Sequence, residues 1–140
     1  MDLKDVIWER DGGVVTLTMN RPEARNAFSP EMRSGLDAAF HRFENDEEVR
    51  CVVLRGAGEH FMAGGDVKMM SQILDDSPEN LRTQFIHRIH ELHPIMFAMR
   101  RMPKPVVASV AGAAAGAGVS MALACDLVIA LGSTLSVSPA

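Results

Sequence analysis

The sequence predicts an α/β domain in which short apolar strands alternate with amphipathic helices. Three apolar runs have the length and composition of buried strands, at residues 51–54, 106–110 and 127–130. Two other stretches carry apolar residues at helical spacing, and each of them opens with Ser-Pro-Glu. Two glycine-rich turns, at 61–68 and 112–118, each join a strand-like run to a helix-like run. This alternation, with no linker and no internal repeat, indicates one α/β unit.

The first elements along the chain are a hairpin and a helix. Residues 6–8 and 14–19 are strand-like and flank Asp11-Gly12-Gly13, where glycine supplies the positive φ that a tight turn requires. Ser29, Pro30 and Glu31 are typical of an N-cap, a first helical position and a first-turn acid. The predicted helix carries one apolar face, made of Met32, Leu36, Ala39, Phe40 and Phe43.

The rest of the chain repeats the alternation. A helix-like run at 67–74 follows the first glycine-rich turn, and a longer helix is predicted from Ser77 to Arg101, with a kink at Pro94. The apolar residues at helical spacing in this longer helix are Phe85, Ile89, Leu92, Met96 and Met99. A short helix at 118–124 separates the last two apolar runs, and one more strand is expected at 134–137.

Composition excludes several classes of protein. With 47% hydrophobic and 23% charged residues and a net charge of −4, the chain is typical of one soluble globular unit without a nucleic-acid partner. No apolar run approaches the ~20 residues of a membrane span, and the N-terminus does not resemble an export signal. Cys51 and Cys125 have no C-x-x-C pairing, so we expect buried thiols in a reducing compartment and a cytoplasmic location.

The histidines do not predict a metal site. His87, His90 and His93 fall three residues apart on the long predicted helix, which spreads them around its circumference. No cysteine or carboxylate set nearby completes a coordination sphere. We therefore expect a solvated helix face and no metal.

Four sequence blocks carry a family resemblance. They are NRPEARNAFS at 20–29, FMAGGDVK at 61–68, KPVVASVAG at 104–112 and CDLVIA at 125–130. In this order and spacing the chain resembles the N-terminal part of the enoyl-CoA hydratase/isomerase family, the crotonase superfamily. The resemblance extends over essentially all 140 residues. It implies a crotonase-like ββα spiral core.

The resemblance also implies an activity and a site. The family binds acyl-coenzyme A thioesters and stabilises an enolate-like oxygen with two backbone N–H groups, which by match to its motifs belong to Gly65 and Ala117. No cofactor is implied beyond the coenzyme A of the substrate. The positions that match the family's adenine and pantetheine contacts are Ala63, Asp66, Val67 and Lys68, with Arg21 or Arg25 placed to meet the phosphates. A helix N-cap is the alternative role for Asp66.

The chain departs from the family pattern in two ways, and the first concerns the catalytic residues. The positions of the two catalytic glutamates of hydratases fall at Ser120 and Ala140, and neither side chain can transfer the protons that hydration requires. Isomerase-type or other enolate chemistry is therefore favoured over hydration. A catalytically silent protein that binds coenzyme A thioesters and an inactive fragment remain as alternatives.

The second departure is length. Family members continue for roughly as long again, so residues 1–140 are expected to be the N-terminal spiral core, with the C-terminal helical part absent. The family's trimers and hexamers imply a homo-oligomer.

Overall fold

The α/β class is confirmed by a computed structural model, which describes residues 4–65, 68, 71–72, 74, 76–132 and 137–138. Its strands and α-helices are β1 (Val6–Asp11), β2 (Val14–Met19), α1 (Pro30–Asn45), β3 (Cys51–Gly56), α2 (Pro78–Arg101), β4 (Val106–Ala111), β5 (Ala114–Ala115), α3 (Ala117–Ala124), β6 (Leu127–Leu131) and β7 (Val137–Ser138). The predicted helix at 67–74 falls largely outside the described residues. Of the strand predicted at 134–137, only Val137 is described, in β7.

The main sheet has the strand order β1-β2-β3-β4-β6. The hairpin pair β1–β2 is antiparallel, whereas β2–β3, β3–β4 and β4–β6 are parallel. Each parallel connection requires a crossover, so the helices return the chain to the same end of the sheet. The short strands β5 and β7 pair in parallel as a second, two-stranded sheet, which the sequence did not predict.

One face of the main sheet is buried. Leu17, Leu54 and Ala108 stand side by side in register on β2, β3 and β4, and none of them is exposed to solvent. Their neighbours along each strand are half-buried or exposed, as expected from the alternation of a pleated strand. The strand predicted at 51–54 is therefore buried on one face and not on both.

Helix α1 forms as predicted, and its apolar residues share one hydrophobic core with that face of the sheet. Ser29 is the N-cap, and its Oγ accepts a hydrogen bond from the N–H of Met32 at 3.0 Å. All five residues of the predicted apolar face are buried: Met32, Leu36, Ala39, Phe40 and Phe43. Beyond the end of the helix, the ammonium of Lys104 donates to the carbonyl oxygens of Phe43 and Asp46. A cation at this end favours the helix because the last carbonyls carry partial negative charge.

Helix α2 begins at the predicted N-cap, Ser77, and of the residues predicted at helical spacing Met99 is buried while Phe85, Leu92 and Met96 are half-buried. Ile95 and Met99 are its buried residues, and Ile89 is 53% exposed. Arg33, in the first turn of α1, pairs with Glu91 at 3.7 Å, so the early turns of α2 extend past the start of α1. Those turns have no helix to pack on within the described ranges, and the helix continues through Pro94.

Strand β6 lies at the edge of the sheet and is exposed on both faces. Val128 is the register partner of Ala108, yet it is 45% exposed while Ala108 is fully buried. Leu127, Ile129 and Leu131 are 64%, 54% and 54% exposed. The cover over the sheet therefore ends at β4, and an apolar strand is left uncovered.

Both cysteines are free thiols. Cys125 is buried as predicted, whereas Cys51 is only half-buried. Burial raises the pKa of the Cys125 thiol to about 12, with a smaller contribution from the neighbouring charge of Asp126. None of the described helices has the length and apolar character needed to cross a bilayer.

Candidate functional site

The first glycine-rich turn is held on one side by the loop that follows β2. The N–H of Ala63 donates to the carbonyl oxygen of Arg25 at 2.9 Å, and the N–H of Phe28 donates to that of Gly64 at 2.8 Å. Phe28 and Gly65 form an isolated parallel bridge. Because the hydrogen bond to Gly64 comes from Phe28, the N–H of Gly65 points away from this loop.

The second glycine-rich turn packs on the other side of the first through backbone hydrogen bonds. The N–H groups of Phe61 and Met62 both donate to the carbonyl oxygen of Ala113, at 3.1 and 3.2 Å. The N–H of Ala115 returns a bond to the carbonyl oxygen of Met62 at 3.0 Å. The tertiary structure thus makes neighbours of two turns that are distant in sequence.

The close approach of the two turns depends on a backbone conformation at Gly64 that favours glycine. Gly64 has a φ of 102°, and a Cβ at this position would lie 3.0 Å from the carbonyl oxygen of Ala115. The same Cβ would lie 3.7 Å from the nitrogen of Ala117. Gly64 therefore lies beside Ala117, the second predicted donor. Gly65, the first predicted donor, is the next residue along the chain.

The two predicted backbone donors lie in the first turn, at Gly65, and at the start of α3, at Ala117. Ala117 is the first residue of α3, and its N-cap, Gly116, provides no side-chain hydrogen bond. Among the residues that the structure describes, neither Gly65 nor Ala117 donates its N–H to an acceptor. Two N–H groups on adjoining turns, one of them at a helix N-terminus, can donate to a negatively charged oxygen.

The residues predicted to contact the substrate lie around these turns. Ala63 is half-buried, and Lys68 is exposed. Arg25 is exposed and has a left-handed backbone, with φ 51°, while its carbonyl oxygen binds Ala63. Asp66 and Val67 lie outside the described residues, so neither the N-cap nor the binding role of Asp66 is tested.

The alternative arginine has a different environment. Arg21 donates through Nη1 to the carbonyl oxygen of Ala27 at 2.8 Å, and its Nε lies 3.7 Å from Oδ2 of Asp5. Asp5 is only 6% exposed, so this arginine is used within the fold. Arg25 is the arginine whose side chain faces solvent.

Ser120, which the sequence analysis assigned to the first glutamate position of hydratases, lies on α3 three residues after Ala117 and is exposed. Its N–H donates to the carbonyl oxygen of Gly116 at 3.3 Å, as part of the first helical turn. Ala140, at the second position, lies outside the described residues. Hydroxyl and methyl side chains supply no carboxylate at either place.

The sequence analysis missed Asn26, which organises this region. Asn26 is fully buried and has a φ of 56°. Its Oδ1 accepts a hydrogen bond from the N–H of Arg21 at 2.9 Å, and its Nδ2 donates to the carbonyl oxygens of Ala57 and His60 at 2.9 and 2.8 Å. The available signal was asparagine itself, which tolerates a left-handed backbone and binds nearby peptides in loops.

The sequence analysis also missed His60. Its Nδ1 accepts a hydrogen bond from the N–H of Ala113 at 3.0 Å. Its partner is 53 residues away in the chain, so no local pattern indicates the contact.

A separate cavity of about 520 Å³ lies between α1 and α2. Its lining includes Arg33, Asp37, His87, His90 and Glu91. His87 lies 3.5 Å from Glu91, and the rings of His90 and His93 stack at 5.5 Å. Within the described part of the chain, no group of three or more His, Cys, Asp or Glu side chains is arranged to hold a metal ion.

Known proteins match this chain over nearly its full length. A family model described as enoyl-CoA hydratase/isomerase matches residues 9–134. The trans-2-decenoyl-[acyl-carrier-protein] isomerase of Streptococcus mutans is 38% identical over 131 residues, which are 93% of this chain and 48% of that protein. The 1,2-epoxyphenylacetyl-CoA isomerase of Escherichia coli is 39% identical over 118 residues, 84% of this chain and 44% of that protein.

Solved structures match the fold as well. The crystal structure of an enoyl-CoA hydratase from Polaromonas sp. JS666 superimposes with a TM-score of 0.79 and 41% sequence identity. The match covers 89% of this chain and 47% of that one. The chain therefore spans about half the length of the relatives it matches.

Proposed function

Because this chain belongs to the enoyl-CoA hydratase/isomerase family, we propose that its protein acts on an acyl-coenzyme A thioester through a stabilised enolate. The thioester oxygen binds between the backbone N–H groups of Gly65 and Ala117. The observation that carries this proposal is the contact between the two glycine-rich turns, which leaves both N–H groups without an acceptor among the described residues. Fixed donors of this kind stabilise charge that develops on oxygen and need no reorganisation during the reaction.

The rest of the ligand lies along the first turn. Arg25 and Lys68 are exposed cations near this turn and meet the phosphates of coenzyme A, and Ala63 lines the approach. Asp66 and Val67 complete the proposed binding segment. No cofactor is needed besides the coenzyme A that the substrate carries.

The proposed reaction is a double-bond isomerisation or another conversion through an enolate. Hydration requires carboxylates that position water and transfer protons, and Ser120 provides none. Two of the relatives are named as isomerases, which supports the same choice. The carboxylate that moves the proton is proposed to come from a part of the protein beyond this chain.

A pair of substitutions at Ala117 tests the donor assignment. Ala117→Pro removes the N–H at a position where helices tolerate proline, and Ala117→Gly keeps it. We expect the proline variant to lose affinity for an acyl-CoA while its affinity for free coenzyme A, which has no thioester oxygen, stays the same. The glycine variant serves as the matched control. Calorimetry with both ligands measures the difference, and equal acyl-CoA affinities in the two variants would show the assignment to be wrong.

Gly65→Val provides the corresponding test on the first turn. A branched side chain crowds the approach to the backbone, so binding of the acyl-CoA should be lost while the circular dichroism spectrum is retained. Unchanged affinity would refute the role of this turn.

Turnover separates the proposed enzyme from a catalytically silent binding protein. The missing carboxylate should lower hydration of crotonyl-CoA by about 10²-fold or more relative to a competent hydratase. Exchange of the α-proton of an acyl-CoA in D₂O reports enolate formation directly. Binding without exchange favours the silent protein, and rapid hydration contradicts the proposed reaction.

We also propose a homo-oligomer in the cytoplasm. The exposed apolar residues of β6 support an association that covers this edge, and the two free thiols support a reducing compartment. Light scattering of the 140-residue chain is expected to give a mass above 15.2 kDa. A stable monomer would contradict the oligomer.

A further inference from the structure

We propose that His60 is a positioning residue that sets the separation of the two backbone donors. Its imidazole Nδ1 accepts the hydrogen bond from the N–H of Ala113 and so joins the segment before the first turn to the start of the second. This inference rests on the proposed function, because it concerns the geometry of the Gly65 and Ala117 N–H groups.

The peptide groups of Ala113 are bound from both sides by residues 60–62. The carbonyl oxygen of Ala113 accepts the N–H groups of Phe61 and Met62, and its N–H donates to the ring of His60. The N–H of Ala115 then binds the carbonyl oxygen of Met62. Within the described part of the chain, these are the hydrogen bonds between the two segments, and the one from Ala113 to His60 uses a side chain.

The ring of His60 has little freedom to move. Gly112 has a φ of 59°, and a Cβ at this position would lie 2.6 Å from Nδ1 of His60 and 2.2 Å from the carbonyl oxygen of Glu59. The backbone of His60 is fixed as well, since its carbonyl oxygen accepts the Nδ2 donor of the buried Asn26 at 2.8 Å. The imidazole is thus held between a fixed loop and the second turn.

This contact matters because, among the described residues, it is the side-chain hydrogen bond that holds the second turn. Gly116, the N-cap of α3, makes no side-chain hydrogen bond, so the place of Ala117 depends on how residues 112–115 are held and on the packing of Gly118 against Met62. Accepting the Ala113 N–H requires a lone pair on Nδ1, which puts the ring proton on Nε2. A side chain without an acceptor at that atom leaves the second turn tied by its backbone bonds alone.

Three substitutions separate an acceptor effect from a general loss of structure. In His60→Asn, Oδ1 is attached to Cγ as Nδ1 is, so it accepts from Ala113 at the same place. His60→Leu removes the acceptor and keeps a side chain of similar branching. His60→Gln has the same amide group as the asparagine variant, but its oxygen lies one bond farther from the backbone. It replaces His60→Leu in the comparison if the leucine variant does not fold.

The measurement is calorimetric affinity for an acyl-CoA and for free coenzyme A, with amide hydrogen exchange at Ala113 followed by NMR. We expect His60→Leu and His60→Gln to weaken acyl-CoA binding about tenfold and to leave coenzyme A binding unchanged. Protection of the Ala113 amide should fall in both variants. His60→Asn should restore protection and should return the acyl-CoA affinity to within about threefold of the native protein.

The outcomes distinguish this inference from the proposed function. If the native protein prefers acyl-CoA to coenzyme A but His60→Leu and His60→Gln keep that preference, the positioning role is wrong and the proposed function stands. Failure of His60→Asn to restore affinity while Leu and Gln lower it also overturns the role, because an acceptor alone would then not suffice. A native protein that does not distinguish the two ligands overturns the proposed function and this inference together.

Discussion

Gly118 of α3 packs directly against the carbonyl oxygen of Met62, since a Cβ on Gly118 would lie only 2.3 Å from that oxygen. The same oxygen accepts the N–H of Ala115 at 3.0 Å. Met62 is fully buried, so neither partner has room to move away. A glycine within a helix thus allows the start of α3 to approach the first turn.

Gly118→Ala is expected to destabilise the fold by about 2 kcal/mol, because the added methyl group separates α3 from the first turn. Helix propensity alone would favour alanine by about 1 kcal/mol, so the sign of the change decides between the two effects. Urea unfolding followed by circular dichroism measures it. Ser120→Ala, at an exposed position of the same helix, is the control and should stay within about 0.5 kcal/mol of the native protein. A Gly118→Ala protein as stable as the control would contradict the close contact.

The two serine N-caps provide a second prediction. Ser29 is 4% exposed, accepts the N–H of Met32 and donates to Oδ2 of the buried Asp5 at 2.5 Å, whereas Ser77 is exposed and accepts the N–H of Asn80 at 3.4 Å. We expect Ser29→Ala to cost about 2 kcal/mol of unfolding free energy, since a buried carboxylate also loses a donor.

The matched variant Ser77→Ala should cost about 0.5 kcal/mol, at the low end for an exposed cap. Denaturant unfolding of both variants gives the comparison. Equal losses would mean that the bond from Ser29 to Asp5 contributes nothing beyond capping.

The raised pKa of Cys125 predicts a loss of stability at alkaline pH. The thiol has a pKa of about 12 when folded against an ordinary value of 9.0, so the unfolded chain loses its proton first. The contribution of this group to stability is complete below pH 9 and is lost as the pH rises towards 12, by up to about 1.4 kcal/mol for each pH unit. Unfolding free energies of the native protein and of Cys125→Ser, measured from pH 8 to pH 11, should diverge above pH 9.

Cys51 serves as the comparison for that measurement. It is half-buried, so Cys51→Ser measures the effect of replacing a cysteine by serine away from the buried thiol. A thiol reagent should also modify Cys51 before Cys125, because Cys125 is buried and its raised pKa keeps it a thiol. Parallel stability curves for the native and Cys125→Ser proteins would contradict the raised pKa.

The most regular elements could be predicted from local sequence. Helix α1 follows its prediction from the N-cap at Ser29 to Phe43, because a cap, a proline at the first position and a periodic apolar face all favour the same structure. The hairpin of β1 and β2 was predicted for similar reasons. Helix α2 was predicted in extent, and Met99 is buried as its spacing indicates, but Ile89 is exposed because no partner helix lies beside it within the described residues.

The candidate site, like the helices, could be predicted only in part from the sequence. The glycine-rich turns were visible in the sequence, because glycine marks backbone that other residues rarely adopt, and Gly64 and Gly112 do have positive φ. The contact of His60 was not visible, because its partner is 53 residues away in the chain, and the asparagine at position 26 did not indicate that its Nδ2 would bind Ala57 and His60.

The sequence by itself determined the α/β class, the helix starts and the two glycine-rich turns, since each of these depends on short-range backbone preferences and on the periodicity of apolar residues. Only the tertiary structure decided that the turns meet, that Arg21 is used within the fold while Arg25 faces solvent, and that β6 lies uncovered at the edge of the sheet. These features depend on which distant segments pack together. A local pattern fixes the conformation of a segment, whereas its neighbours are fixed by the burial and hydrogen bonds that the whole fold can satisfy.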